Sequence, residues 1–136
     1  MPGLSPSTRF LNPPTMPPVA GYSHVAEVRG GRLVFISGQV AVDPEGKLVG
    51  ADDMAAQARQ VFTNLKRAFE AVGTDFAHVL KLTYYLVDAS KISVVRQVRD
   101  EFVNTEQPPA STAVEVRRLV RDDLLIEVDA VAVVPD

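Results

Sequence analysis

The chain has 136 residues, of which 46% are hydrophobic and 23% are charged, the balance of one soluble globular domain with a real core. Its formal net charge is −3, and no basic stripe is present, so nucleic acid is not an expected partner. Cysteine is absent, which excludes disulfides, thiolate metal ligands and a cysteine nucleophile. Because no run of transmembrane length and no signal-peptide pattern occurs, we expect a cytoplasmic protein without a membrane partner.

The N-terminal region divides at a change of composition. Prolines mark residues 1–20, which we interpret as an extended arm in front of a single domain, residues 21–136. Two β-rich runs follow, "YSHVAEV" and "GRLVFISGQVAV", separated by Gly30 and Gly31. Glycines tolerate positive φ, so this pattern predicts a β-hairpin. The next stretch, "DPEGKLVG", predicts a turn and a short strand.

Helical periodicity begins after this turn. Asp52 or Asp53 would cap the first helix, and Gly73 would end it. The predicted apolar face comprises Met54, Ala58, Val61, Phe62, Leu65, Phe69 and Val72. "HVLKLTYYLVD" is typical of a strand. "KISVVRQVRDEFVNT" predicts a second helix, capped by Ser90, with an inward face of Ile92, Val95, Val98 and Phe102.

The C-terminal third predicts two more strands, "STAVEVRRL" and "LLIEVDAVAVV", joined by a turn that contains Asp122 and Asp123. Two helices can cover only one face of a sheet this wide. Both faces of the last strand are largely apolar, although one face also carries Glu127 and Asp129. We therefore expect a partner subunit to cover the second face, which predicts a homo-oligomer.

Six segments together resemble the RidA family, also called YjgF/YER057c/UK114. They are "GYSHVAEV", "FISGQVAVDPEGKLVG", "DMAAQARQVFTNLKRAFEAVG", "HVLKLTYYLVD", "PPASTAVEV" and "IEVDAVAV". The resemblance implies an α+β, chorismate-mutase-like fold with one mixed β-sheet covered on one face by two α-helices. It also implies a homotrimer with ligand clefts between subunits. Known members hydrolyse enamines and imines such as 2-aminoacrylate to ketoacids and ammonia, and others are described as ribonucleases.

The resemblance also assigns site residues. Gly38 matches the glycine of the family's "SGQ" run, Tyr22 matches a tyrosine that reaches the cleft, and Glu127 matches the residue that positions the attacking water. The family's "P-A-R-S-x-V-E-V" pattern places Ser111 where an arginine clamps the substrate carboxylate. A serine offers one neutral donor where a guanidinium offers a charged fork, a loss of roughly 1.5–3 kcal/mol. Thr112 is a second candidate hydroxyl donor.

Each of these residues has a structural alternative. Arg96 could supply the missing cation, or it could lie on a solvated helix face together with Arg99 and Asp100. Glu127 could position water or could pair with an arginine across a subunit interface. Tyr22 could bind ligand or lie at the rim of a subunit contact, and Thr112 could be an ordinary strand residue.

Three functions follow from these assignments. The first is a RidA-like hydrolase, a deaminase of a small enamine, imine or related C=N metabolite, with an altered preference caused by Ser111. The second is a non-catalytic trimer that binds a small metabolite. The third, a ribonuclease, is disfavoured by the net charge of −3. His24 and His78 lie on different strands with no third ligand nearby, so we expect neither a metal site nor a cofactor.

Overall fold

A computed structural model describes residues 7–136. Within this range the chain forms six strands and two α-helices, with short 3-10 turns at Phe76–His78 and Ala89–Lys91. In chain order the elements are β1 (Ser7–Leu11), β2 (Val25–Arg29), β3 (Arg32–Val40), α1 (Met54–Val72), β4 (Val79–Leu86), α2 (Ile92–Arg99), β5 (Ala110–Glu115) and β6 (Ile126–Val134).

The strands form two sheets. The larger sheet has the order β3-β6-β4-β5, in which β4 and β5 are parallel and the other neighbours are antiparallel. The smaller sheet contains only β1 and β2. The predicted mixed sheet with two helices is therefore confirmed, and the structure adds a separate two-stranded ribbon.

The hairpin predicted between β2 and β3 is wrong in its pairing. Gly30 and Gly31 do adopt positive φ, at 76° and 77°, as a tight turn requires. However, β2 pairs along all its five residues with β1, which comes from the proline-rich arm, while β3 pairs with β6. The glycines thus carry the chain from one sheet to the other. The first six residues of the arm lie outside the described residues.

Helix α1 begins and ends where its sequence predicts. The carboxylate of Asp53 accepts a hydrogen bond from the backbone N–H of Ala56 at 3.0 Å, and Gly73 closes the helix with φ 86°. Six of the seven predicted face residues are buried, whereas Val72 in the last turn is 37% exposed. Gln57 is also buried, and its amide bonds the backbones of Gly50, Asp123 and Leu125, which fastens two loops to the helix.

Helix α2 is shorter than predicted. Asp88, not Ser90, caps the preceding 3-10 turn, since its carboxylate accepts from both the N–H and the hydroxyl of Ser90. At the other end the carbonyl of Arg99 accepts from the N–H groups of Phe102 and Val103, a tightened turn that closes the helix. Phe102 then stacks on Phe62 with ring centroids 5.4 Å apart. The inward position predicted for Phe102 is thus reached from a turn beyond the helix.

The two faces of the four-stranded sheet have different surroundings. One face packs on α1 and α2 through the buried residues Leu82, Tyr84, Leu86, Ile126, Val128, Ala130 and Ala132. The other, here called the open face, carries Leu33, Phe35, Tyr85, Glu127, Asp129 and Val131. Phe35 is 76% exposed there. Neither helix of residues 7–136 is both long and apolar enough to cross a membrane.

Candidate functional site

A cavity of about 30 Å³ lies between α2 and the strands β4 and β5. Here called the helix-side cavity, it is lined by Tyr22, Tyr84, Ile92, Val95, Arg96, Arg99, Ser111 and Ala113. Three of the six predicted site residues, Tyr22, Arg96 and Ser111, therefore meet in one place. The volume suits roughly two water molecules or one small ligand group.

The backbone around Ser23 delivers Tyr22 to this cavity. The hydroxyl of Ser23 donates to the carbonyl of Pro108 at 2.6 Å, and its N–H donates to the carbonyl of Pro109 at 3.1 Å. Ser23 is buried and forms a parallel bridge with Ala110, the first residue of β5. Proline lacks an N–H but keeps its carbonyl, so the "QPP" segment can accept both bonds. Tyr22 is thereby placed beside the start of β5.

The strand register aims Ser111 at the cavity. Ser111 lies opposite Leu82 in the parallel ladder, and Ala113 lies opposite Tyr84, so both point toward the helices. The short side chains of Ser111 and Ala113 leave space between β5 and α2. The resemblance implies an arginine at position 111. Because serine is shorter, this position leaves open space that other side chains of the cavity can reach.

The two arginines of α2 differ in burial, and only Arg99 contradicts the solvated-face alternative. Arg96 is exposed, yet it lines the cavity, and within residues 7–136 it forms no ion pair. Arg99 is only 7% exposed, so its placement on a solvated face is wrong. Its Nε and Nη2 both contact Asp100 Oδ1 at 2.9 Å. A Cβ at Gly21 would clash with the guanidinium, so this glycine makes room for it.

Tyr84 is a cavity residue that the sequence reasoning missed. It is 3% exposed, and its buried hydroxyl has no hydrogen-bond partner among the described residues. Burial raises the pKa of the phenol strongly, an effect that the neighbouring Arg99 opposes. A signal was present in the alternation of "LKLTYYL", which places this tyrosine on the same face as Leu82 and Leu86.

Arg99 is a second missed residue, and it too left a signal. It follows Ile92 by seven positions and Val95 by four, which is the spacing of the inward face of the helix. An arginine at such a position must bury its stem and find a partner for its charge. In the structure Asp100 contacts two of the three guanidinium nitrogens of Arg99, and Arg99 also lines the cavity.

Glu127 and Gly38 form a second group on the open face. A Cβ at Gly38 would clash with the carboxylate of Glu127, 2.7 Å from its Cδ. The register of β3 against β6 shifts between Ile36 and Gln39, which lets the backbone at Gly38 come this close. The half-buried Glu127 has no hydrogen bond or ion pair to any side chain of residues 7–136.

Thr112 belongs to the open face as well. It is adjacent to Ser111 on β5, so its side chain points the opposite way, and its Oγ1 accepts a hydrogen bond from Lys81 Nζ at 2.9 Å. The predicted site residues therefore divide into a group on the helix side and a group on the open face. One copy of the chain does not bring Glu127 and Ser111 together.

A hydrogen bond near Glu127 adds a further polar contact on the open face. The hydroxyl of Tyr85 donates to Asp129 Oδ2 at 3.1 Å, and this bond raises the pKa of Tyr85 because ionisation would remove its proton. Tyr85 lies opposite Glu127 in the β4–β6 ladder. Residues 7–136 hold no group of three or more His, Asp or Glu side chains placed to share a metal ion.

Comparison with known proteins assigns this arrangement to a family. The family model described as Endoribonuclease L-PSP matches residues 14–134. A protein from Salmonella typhimurium named 2-iminobutanoate/2-iminopropanoate deaminase is 36% identical over 118 residues, which cover 85% of this chain and 91% of the relative. Protein DfrA from Myxococcus xanthus is also 36% identical, over 115 residues covering 85% of this chain and 86% of the relative.

Solved structures agree with these sequence relatives. A crystal structure from Yersinia pestis, described as a protein of unknown function of the conserved Rid family, has a TM-score of 0.84 and 36% sequence identity. The match covers 93% of this chain and 98% of that one. The strand order, the two helices on one face and the sequence relatives together show that the chain belongs to the RidA (YjgF/YER057c/UK114) family.

Proposed function

We propose that the chain is a hydrolase that deaminates a small enamine, imine or related C=N metabolite. A relative named as a 2-iminobutanoate/2-iminopropanoate deaminase at 36% identity supports this reaction class. The observation that carries the proposal is the position of Glu127, whose carboxylate lies against the backbone of Gly38 without an ion-pair partner among the described residues.

The reaction needs a positioned water and a proton acceptor. Glu127 takes a proton from water as the oxygen attacks the C=N carbon and passes it to the nitrogen, which gives a carbinolamine; the hydroxyl proton then travels through the same carboxylate to the amine, so that the C–N bond breaks and a C=O bond forms. The tetrahedral intermediate then expels ammonia and becomes a carbonyl compound. The N–H of Gly38 binds an oxygen of the substrate, and the missing Cβ leaves room for the carboxylate of Glu127 beside it. An enamine enters the same route after protonation at carbon converts it to the imine.

A complete site in this proposal requires a second copy of the chain. Glu127 and Ser111 are on opposite faces of one sheet, so a cleft that contains both must be built between subunits. Phe35 and Leu33, 76% and 54% exposed, give the open face an apolar surface suited to such a contact. We therefore propose a homotrimer that acts on a small metabolite in the cytoplasm, with neither nucleic acid nor membrane as a partner.

The substrate preference follows from Ser111. The hydroxyl of Ser111 supplies one neutral donor, so an anion that binds at this strand position loses its charged fork. Simple carboxylates held at that position, such as 2-aminoacrylate, are handled less efficiently than by relatives with an arginine. Productive substrates must take their affinity from other groups of the cleft.

The proposal is tested with Glu127→Gln, which keeps the size of the side chain and removes the base. The substrates are imines generated in situ by a PLP-dependent enzyme, and the measurement is ketoacid formation above the spontaneous rate. We expect a loss of about 10²-fold or more. Glu70→Gln on α1 is the matched control and should leave the rate unchanged.

The same assay separates the hydrolase from a metabolite-binding trimer. A binder gives no acceleration in wild-type form, and Glu127→Gln then changes affinity without a change of rate. Equal turnover of 2-aminoacrylate by this chain and by a relative with the arginine would contradict the role given to Ser111.

A further inference from the structure

The helix-side cavity is rich in hydrogen-bond donors. Five of its eight lining residues carry a donor, namely Tyr22, Tyr84, Arg96, Arg99 and Ser111. The other three, Ile92, Val95 and Ala113, are aliphatic, and no carboxylate of residues 7–136 lines the space. A ligand that suits this lining has an acceptor-rich anionic end and a short apolar part.

The charge around the cavity is positive. Asp100 contacts Nε and Nη2 of Arg99, which leaves Nη1 as a free edge of that guanidinium among the described residues. Arg96 has no acidic partner within residues 7–136. Two arginines therefore line the cavity and one carboxylate contacts one of them among the described residues, which leaves an excess of one positive charge.

The hydroxyl of Tyr84 gives independent evidence of a missing partner. It is shielded from solvent, yet it has no hydrogen-bond acceptor in residues 7–136. Buried polar groups without partners are rare because their desolvation is not compensated. Burial is the main cause that raises the pKa of this phenol, Arg99 and Arg96 oppose it and Asp100 adds to it, so two cations and one carboxylate act on the hydroxyl. An anionic oxygen placed between the hydroxyl and the two arginines would accept the unused proton.

The size of the cavity selects among anions. A space of about 30 Å³ fits a planar carboxylate more easily than a tetrahedral phosphate or sulfate. The flat fork of a guanidinium also matches the two oxygens of a carboxylate. An arginine at position 111 would fill this gap and add a third positive charge.

We propose that helix α2 provides the carboxylate-binding group of this protein, with Arg96, Arg99 and Tyr84 holding the carboxylate of a small aliphatic ligand beside Ser111. That this ligand is the substrate rests on the hydrolase function proposed above. The anion anchor has moved from strand β5 to the helix that faces it. Substrates remain carboxylates, but they are held from the opposite wall of the cavity, so a small one such as 2-aminoacrylate still lacks the fork that an arginine at position 111 gives the relatives and is handled less efficiently than by them.

The test is a calorimetric titration of the full-length protein with 2-oxobutanoate, the ketoacid that hydrolysis of 2-iminobutanoate yields. Tyr84→Phe removes only the unpartnered hydroxyl, and we expect affinity to fall about tenfold. Arg96→Ala should lower affinity about tenfold to a hundredfold. Arg59→Ala, whose side chain pairs with Glu101 instead, is the matched control and should bind like wild type.

Stability measurements keep the test decisive. Because the Tyr84 hydroxyl has no partner, Tyr84→Phe should unfold at the same or a higher urea concentration than wild type, so weaker binding cannot be attributed to misfolding. Arg99 is a poorer test, since it also packs against Gly21. Neutral 2-oxobutanamide should bind wild type and Tyr84→Phe equally weakly.

Three results would overturn the inference. They are no binding of 2-oxobutanoate to wild type at millimolar concentration, an unchanged affinity in Tyr84→Phe and Arg96→Ala, or equally strong competition by inorganic phosphate. The titration uses a stable ketoacid and involves no turnover. Anion binding that depends on Tyr84, combined with no turnover, would therefore reject the hydrolase function and leave the anion site standing.

Discussion

On the helix side of the four-stranded sheet, the residues of β6 that face α1 and α2 are buried, whereas on the open face Phe35 keeps 76% of its surface exposed. The polar groups also differ. The helix side presents Arg96 and Arg99 at a small cavity, and the open face presents Glu127 and Asp129. In the proposed reaction, substrate binding and water activation therefore take place on opposite sides of one sheet. A fold that separates them in one copy can unite them between copies.

The largest expected effect is on stability, and it compares removal of a phenylalanine ring on the helix side with removal of one on the open face. Phe62 is fully buried against Phe76, Tyr84 and Phe102, so Phe62→Ala should lower the free energy of unfolding by about 3–5 kcal/mol. Phe35→Ala should cost little within one chain and should weaken subunit association. Urea denaturation at several protein concentrations, together with sedimentation velocity, measures both effects.

The two variants should differ in their dependence on concentration. The loss in Phe62→Ala should be the same at every protein concentration, while the loss in Phe35→Ala should shrink as concentration rises. A wild-type protein that sediments as a monomer at all concentrations would contradict the role given to the open face.

A smaller effect, confined to the open face, is expected from Gly38→Ala. The added Cβ must displace the carboxylate of Glu127, so we expect the rate of imine hydrolysis to fall about tenfold to a hundredfold. Gly46→Ala is the control, because its Cβ meets no atom of the described part of the chain within 4 Å and its positive φ costs only about 1 kcal/mol of stability. Steady-state rates and urea midpoints of both variants make the comparison. Full activity in Gly38→Ala would contradict the role proposed for Glu127 in the reaction.

The smallest expected effect concerns the pH dependence of stability. The bond to Asp129 raises the pKa of Tyr85 in the folded state above its unfolded value of about 10. Its stabilising contribution is therefore complete below that value and is lost as the pH rises through the folded pKa. Tyr85→Phe should be less stable than wild type at pH 7, and the difference should shrink above about pH 10.

Chemical denaturation between pH 7 and pH 11 measures this convergence. Asp129→Asn removes the charged acceptor of the same bond and should flatten the alkaline profile in a similar way. A constant difference between Tyr85→Phe and wild type over the whole range would show that the bond has no influence on the alkaline profile.

Local signals made much of the fold predictable. The ends of α1 were predictable at Asp53 and Gly73. A carboxylate cap and a left-handed glycine each act within one turn of the helix, so neighbouring residues are enough to recognise them. The alternation in β6 likewise shows which of its residues share a face, and the structure buries the set that includes Ile126 and Val128 against the helices. The end of α2 was not predictable in this way, because Phe102 leaves the helix to stack on Phe62, a contact between residues far apart in sequence. The pairing of β1 with β2 was not predictable either, because it joins two strands that are separated in sequence by residues 12–24.

The sequence supplied candidate site residues but not their arrangement. Alternation along β5 indicates that Ser111 and Thr112 face opposite ways, although both were named as candidate donors, whereas the separation of Ser111 from Glu127 required the strand order of the sheet. Arg99 and Tyr84 were visible as polar residues at inward positions of a helix and a strand. What the sequence did not show is that both face the same cavity, because that depends on how α2 packs over β4 and β5.

The attachment of Ser23 to Pro108 has a consequence for the order of folding. The two residues are 85 positions apart, so the bond that delivers Tyr22 forms only when both halves of the chain are present. During synthesis a ribosome must release residue 109 before the amino-terminal wall of the cavity finds its place. Nascent chains stalled earlier would contain Tyr22 but no binding site, and long-range closures of this kind are slow steps in folding.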